Sequence, residues 1–250
     1  MQRIQPGGMI IIVMEPSVSI IVPVLNEESI LRESLNYMRA LGEMELIVSD
    51  GDSTDRSMEI SQELADTVIS SPRGRGTQMN MGAKHARGDI LFFVHADSRP
   101  PQEAITLIRN TLSKANVGTN NTGVAGVAGA FDIYIDHPSI WFRLIETTAN
   151  MRSRVTGIPY GDQGLFLWRE TFERIDGFRE LPIMEDVEIA GRLKQEGNII
   201  FLKERMTASA RRWIKEGLLR CTLRDWSIYT GYKLLGITPE KLHRYYKDTR

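Results

Sequence analysis

The feature that most constrains this chain is the run Ile90-Leu91-Phe92-Phe93-Val94, five apolar residues that end abruptly at His95-Ala96-Asp97-Ser98. A strand with one wet face alternates apolar and polar residues. An unbroken run needs cover on both faces, which a parallel sheet flanked by helices supplies. Such strands deliver their polar ends to the crevice where ligands bind. Asp97 is then a strand-end acid suited to Mg²⁺ or Mn²⁺ on a diphosphate, because such an ion takes only one or two protein carboxylates. The alternative is structural: Asp and Ser cap helices, and a helix can begin after Pro100-Pro101.

The pattern around this strand alternates. Residues 17–24 read as a strand with Pro23 at its end, and Asn26-Glu27-Glu28-Ser29 opens a helix with Leu31, Leu35, Met38 and Leu41 on one face. Gly42 stops that helix. A strand at 45–50, a turn at 51–55, a helix through Met58, Ile60 and Leu64, a strand at 67–70 and a helix at 78–86 follow. This alternation predicts an α/β fold with a mostly parallel, Rossmann-like sheet and right-handed crossovers. Residues 118–123 read as a turn-rich surface connection, 126–135 as a strand and 139–154 as a helix. A tight polar turn at 161–164 precedes a strand at 165–168. The stretch between Gly197 and Ser209 receives no assignment.

Two loops and one helix start carry chemistry. Arg73 and Arg75 sit among glycines just before a helix, where backbone donors, helix dipole and guanidinium all favour an anion. Glu185, Asp186 and Glu188 fall in the first turn of the helix after Pro182. Acids there suit the dipole, which accounts for Glu188. Adjacent helical residues point in different directions, so one of Glu185 and Asp186 points away from solvent or toward a site, and Asp186 is the candidate base. Arg211-Arg212-Trp213 suits a phosphate and a stacked sugar ring.

Bulk properties narrow the classes. The chain has 250 residues, 31 Lys+Arg against 32 Asp+Glu, and a net charge of −1, so no basic excess calls for nucleic acid. The single cysteine, Cys221, leaves no intrachain disulfide or cysteine zinc site, and cytoplasm is the default expectation. The four histidines lack H-x-x-x-H spacing, and no G-x-S-x-G elbow occurs. Residues 1–16 are expected to be a leader or edge segment, since the apolar run 9–14 is too short to span a bilayer. Residues 17–213 form the expected catalytic domain and 214–250 a helical C-terminal segment. That segment is aromatic and basic, which suits cover over the site, a second copy of the chain, or peripheral contact with a membrane surface.

Taken together, several stretches resemble the family-2 glycosyltransferases. They are Val22-Pro23-Val24-Leu25-Asn26-Glu27-Glu28, the run Ile47 to Asp55, Ala86 to Phe93, His95-Ala96-Asp97 and Met184-Glu185-Asp186, in the family's order. The run Gly74 to Ala83, Gly161-Asp162-Gln163-Gly164 and Ser209 to Trp213 look more specifically like a bacterial branch labelled arsenosugar-biosynthesis-associated.

The resemblance implies the GT-A nucleotide-diphospho-sugar transferase fold and an inverting, metal-assisted transfer. A nucleotide-sugar donor and an acceptor hydroxyl would be the partners, with Mn²⁺ or Mg²⁺ as cofactor. It implies that Pro23, Glu27, Asp50 and Arg75 border the nucleoside. Asp97, with His95, would hold the metal, and Asp186, beside Glu185, would take the acceptor proton. Arg212 would steady the leaving diphosphate and Trp213 the acceptor. It extends the substrate-binding set to Asn26, Asp52, Asn80, Ala96, Gly161, Asp162, Gln163 and Arg211. Two departures stand out: His95 replaces the first acid of the D-x-D motif, and Ser209 stands where processive synthases carry glutamine. Polymer synthesis is therefore not expected. Competing readings are a nucleotidyltransferase, which would want glycines and a basic residue where Leu25-Asn26-Glu27-Glu28 stands, and a non-catalytic sugar-nucleotide sensor.

Overall fold

The computed structural model describes residues 2–4, 10–12, 15–117 and 126–245. Strands β1 (Gln2–Ile4) and β2 (Ile10–Ile12) pair antiparallel with each other, Gln2 opposite Ile12, and form their own two-stranded sheet. The expected edge strand is therefore not part of the main sheet. The expected connection at 118–123 lies outside the described residues.

The first half alternates as expected: β3 (Val18–Val24), α1 (Glu28–Arg39), β4 (Glu45–Asp50), α2 (Ser57–Leu64), β5 (Thr67–Ser70), α3 (Arg75–His85) and β6 (Ile90–Phe93). β3 pairs parallel with both β4 and β6, and β4 with β5. The period-2 geometry of a strand explains the unbroken apolar runs. Val18, Ile20, Val22 and Val24 of β3 join Ile90 and Phe92 of β6 in one core with Leu31, Leu35 and Met38 of α1. Ile21, Leu91 and Phe93 point the other way, into a second core with Met79 and Ala83 of α3.

The second half comprises β7 (Ser98–Arg99), α4 (Ala104–Val117), β8 (Gly126–Asp136), α5 (Ile140–Thr156), a single 3₁₀ turn (Gly161–Gln163), β9 (Phe166–Trp168), α6 (Arg169–Arg174), α7 (Glu185–Glu196), β10 (Asn198–Ser209), α8 (Arg211–Glu216), α9 (Leu218–Lys233) and α10 (Pro239–His243). The eight-stranded sheet runs β5-β4-β3-β6-β9-β8-β10-β7. β9 is antiparallel to both of its neighbours, β10 is parallel to β8, and β7 closes the edge antiparallel to β10. The sheet is thus mixed but mostly parallel.

Several local readings are corrected. β10 went unassigned because Lys203-Glu204-Arg205 interrupts any alternation, and the register against β8 shifts between Phe201 and Arg205. α3 begins at Arg75, three residues earlier than its apolar spacing suggests, with Gly74 in the left-handed region at φ 137°. Asp97 does not cap α4, which starts at Ala104; it sits in the turn before β7. The division expected after Trp213 falls inside α8, whose Trp213 packs with Phe142 and Cys221. Among the described residues no helix is long and apolar enough to cross a membrane.

The chain leaves β3 toward β4 and β5 on one side and returns to β6 on the other, so the sheet's switch point lies between β3 and β6, where α/β folds open a crevice. Gln78 of α3 locks the floor of that crevice. Its buried Nε2 donates to Val24 O at 2.7 Å and Ser49 O at 2.9 Å, joining the ends of β3 and β4. Replacing Gln78 by Leu leaves those carbonyls without that donor, and an expected loss of about 2 kcal/mol in unfolding free energy is checked by urea denaturation.

Candidate active site

A cleft of about 470 Å³ opens at this switch point. Pro23 at the end of β3, His95-Ala96-Asp97 after β6, Arg75 at the start of α3, Gly161 and Asp162 in the 3₁₀ turn, Glu185 and Asp186 at the start of α7, and Arg211-Arg212-Trp213 in α8 all line it. Asn26 and Glu27 complete one rim. Three non-glycine residues at or beside this rim hold left-handed backbone: Asn26 (φ 53°), Asp52 (φ 66°) and Met184 (φ 68°). Asn26 is held there by Ser53 Oγ, which accepts from its N–H at 3.0 Å, and by Thr54 N–H, which donates to its Oδ1 at 2.8 Å. Such conformations persist only where the surroundings impose them, and they gather at functional sites.

The two adjacent acids of α7 diverge as helical geometry requires. Asp186 Oδ2 accepts the N–H of Gly161 at 3.0 Å, and Oδ1 accepts that of Val187 at 2.8 Å. Burial, followed by the negative charge of Glu185, pushes Asp186 up to about 6 against the lowering effect of those two N–H groups and Arg75. Glu185 is buried, and its Oε1 lies 3.8 Å from Arg75 Nη1. Arg75 thus bridges the anion-favouring loop and the acidic helix start.

His95 and Asp97 line the same cleft. Asp162 Oδ1 lies 3.5 Å from His95 Nδ1. Desolvation works against the ionised Asp162, but the His95 hydrogen bond and charge, with Arg212 and Arg75 behind them, hold it at about 2. The imidazole leaves no room for a side chain at position 161, since a Cβ there would lie 2.7 Å from His95 Cε1. Gly161 is what allows the turn to approach both His95 and Asp186. Arg211 Nη2 lies 3.4 Å from Glu27 and 3.6 Å from Asp97, tying the two rims together. Arg212 Nη2 pairs with Asp225 of α9 at 2.7 Å.

The donor set fits a divalent ion of the kind that keeps most of its ligands from phosphate and water. Asp97 is half-exposed to the cleft and offers a hard oxygen. His95 is turned to Asp162 instead. Among the described residues no three His, Cys, Asp or Glu side chains gather as a metal cage.

Four of the expected binding residues do not line the cleft. Asp50 is buried; its Oδ2 accepts Ser53 N–H at 2.9 Å, and its Oδ1 has no partner. Asp52 is exposed, and its carbonyl accepts from Arg73 at 3.2 Å. Asn80 pairs both ways with the Phe178 backbone, at 2.8 Å each. Gln163 is buried, donating to Phe131 O and accepting from the Ser153 hydroxyl and the Tyr160 N–H. Trp213 lines the cleft but is 9% exposed and packs edge-on against Phe142. Tyr160 and Asp225 line the cleft without having been expected. Asp225 had one signal, an acid set among the basic residues of that segment.

The family model described as Glycosyl transferase family 2 matches residues 19–175. "Probable glycosyltransferase YdaM" of Bacillus subtilis is 25% identical over 208 residues, 73% of this chain and 47% of that protein. "Undecaprenyl-phosphate 4-deoxy-4-formamido-L-arabinose transferase" of Shewanella sediminis is 28% identical over 163 residues, covering 60% and 46%. The chain therefore spans about half the length of these curated relatives. Among solved structures, the mannosyltransferase of Pyrobaculum calidifontis in complex with GDP-Man and Mn²⁺ superposes with a TM-score of 0.61 at 20% identity, over 86% of this chain and 61% of that one. Glucosyl-3-phosphoglycerate synthase of Mycobacterium tuberculosis, with Mn²⁺, UDP and its product, gives 0.54 at 16%, over 77% and 72%. These neighbours share the GT-A fold with this chain.

Replacing His95 by Phe keeps a ring against Gly161 and removes the hydrogen bond and charge that hold Asp162 down. The Asp162 carboxyl is expected to titrate well above its present value of about 2, as read by ¹³C NMR of labelled aspartate. An unchanged titration would contradict the assignment.

Proposed function

The chain belongs to glycosyl transferase family 2, and we propose that it moves a sugar from a nucleoside diphosphate sugar to an acceptor hydroxyl with inversion at the anomeric carbon. The observation that carries this reading is Asp186, a carboxylate raised to about 6 on the same cleft as Asp97. A base works best with a pKa near the operating pH, and this one is ionised at neutrality yet still basic enough to take a proton. Asp186 accepts the hydroxyl proton, the acceptor oxygen bonds to the anomeric carbon, and the bond from that carbon to the diphosphate oxygen breaks. The nucleoside diphosphate leaves with the electron pair.

Other residues of the chain hold the donor. Pro23, Asn26 and Glu27, which line the cleft, border the nucleoside. Arg75 and Arg211, now set against acids, supply donors to the diphosphate oxygens. Mn²⁺ or Mg²⁺ held by Asp97 would add positive charge where the leaving group gains its negative charge. Mn²⁺ with GDP-Man in the Pyrobaculum structure, and Mn²⁺ with UDP in the Mycobacterium one, support both components.

Replacing Asp186 by Asn is expected to lower kcat about a hundred- to ten-thousand-fold in a radiolabelled transfer assay, with nucleoside diphosphate affinity unchanged by calorimetry. Full turnover in that variant would refute the role. In the unmodified protein, kcat/KM should fall as the pH drops through about 6, because protonated Asp186 can no longer accept the proton.

A further inference from the structure

Two neighbouring helices, α5 and α9, leave their outer faces uncovered. Phe142, Glu146 and Ser153 of α5 and Cys221 and Ile228 of α9 are buried against the body of the protein. At about 3.6 residues per turn, positions two places away from these fall on the opposite side of each helix. There stand Ile140, Leu144, Met151 and Val155 of α5, 57–81% exposed, and Leu219, Leu223 and Trp226 of α9, 44–74% exposed. The helices lie side by side, with the Arg152 guanidinium of α5 5.8 Å from the centre of the Trp226 ring of α9.

The spacing says what kind of partner fits this face. Ile140, Leu144, Thr147 and Met151 step by four, three and four residues, and Leu219, Leu223, Trp226 and Thr230 repeat the same steps. That is the narrow seam by which helices pack on helices. Thr147 does not break it, because its hydroxyl is satisfied within the helix, donating to Arg143 O at 2.7 Å. A lipid surface asks for something else, an apolar face bordered by free Lys or Arg. All three arginines of α5 are engaged within their own chain: Arg143 by the carbonyls of Ile135 and His137, Arg152 by the Tyr160 ring and Arg154 by Asp132.

Area points the same way. With Trp141 beside them, the exposed side chains present roughly 1,000 Å² of apolar surface, against about 800 Å² that each partner buries in a stable interface. A single soluble chain rarely exposes that much without a partner. Two like seams side by side are self-complementary, so a two-fold axis lets this face close on a second copy of itself.

We infer that α5 and α9 form a dimer interface, their outward seams packed against the same two helices of a second copy of this chain. None of the seam residues lines the cleft, so the inference stands or falls apart from the transferase reading.

Light scattering on the full chain after gel filtration tests it. Twice the mass of one chain is expected at about 10 µM, because interfaces of this area hold at micromolar Kd or tighter. Leu144→Glu and Leu223→Glu each set a charge in the seam, and each should give single chains with unchanged far-ultraviolet circular dichroism. Thr147→Arg, at an exposed position between Leu144 and Met151, should do the same and keeps the test open where a leucine variant fails to fold. Single chains of the unsubstituted protein at a roughly tenfold higher concentration would overturn the inference. A dimer retained by any folded variant would also overturn it, and so would phosphatidylglycerol vesicles that sediment the unsubstituted chain and displace the dimer.

Discussion

A strand that is apolar on both faces has to be covered on both, and the arrangement of this protein follows from that requirement at β3 and β6. Each sends alternate side chains into one core with α1 and into another with α3. Covering both faces forces the crossovers, and the crossovers place β4 and β5 to one side of β3 and β6 to the other. The polar residues just past the ends of these strands then have one place to go. Asn26 and Glu27 follow β3, His95 and Asp97 follow β6, and they meet at the rim of the same cleft.

Charge balance shapes what assembles there. Arginines reach the cleft from different elements, and each is set against an acid: Arg75 by Glu185, Arg211 by Glu27 and Asp97, Arg212 by Asp225. Neighbouring carboxylates are driven apart in character by their surroundings. His95 and the nearby arginines keep Asp162 strongly acidic, whereas burial and Glu185 make Asp186 weakly so. Environment rather than residue type distinguishes the two. Glycine at 161 permits this closeness, since any side chain would strike His95.

Much of the fold was legible because period and punctuation agreed: β3 to β6 with their helices announce themselves by apolar runs, glycines and prolines. β10 did not, because Lys203-Glu204-Arg205 breaks its pattern at the point where its register against β8 shifts, and sheet pairing rather than local pattern defines it. At the site, the acids at strand ends and helix starts were readable from position. Amides were harder to read. Asn80 and Gln163 satisfy backbone groups far along the chain, and an amide that holds a loop has the same sequence signature as one that holds a ligand. The Arg212–Asp225 pair joins two helices, a contact that no spacing rule specifies.

The most direct test of the central claim is a crystal structure of the chain with a nucleoside diphosphate sugar and Mn²⁺ bound. The account predicts the diphosphate beside Asp97, the base against Pro23 and Glu27, and the anomeric carbon facing Asp186 across open space wide enough for an acceptor hydroxyl. A nucleotide seated outside this cleft, or an anomeric carbon walled off from Asp186, would contradict it.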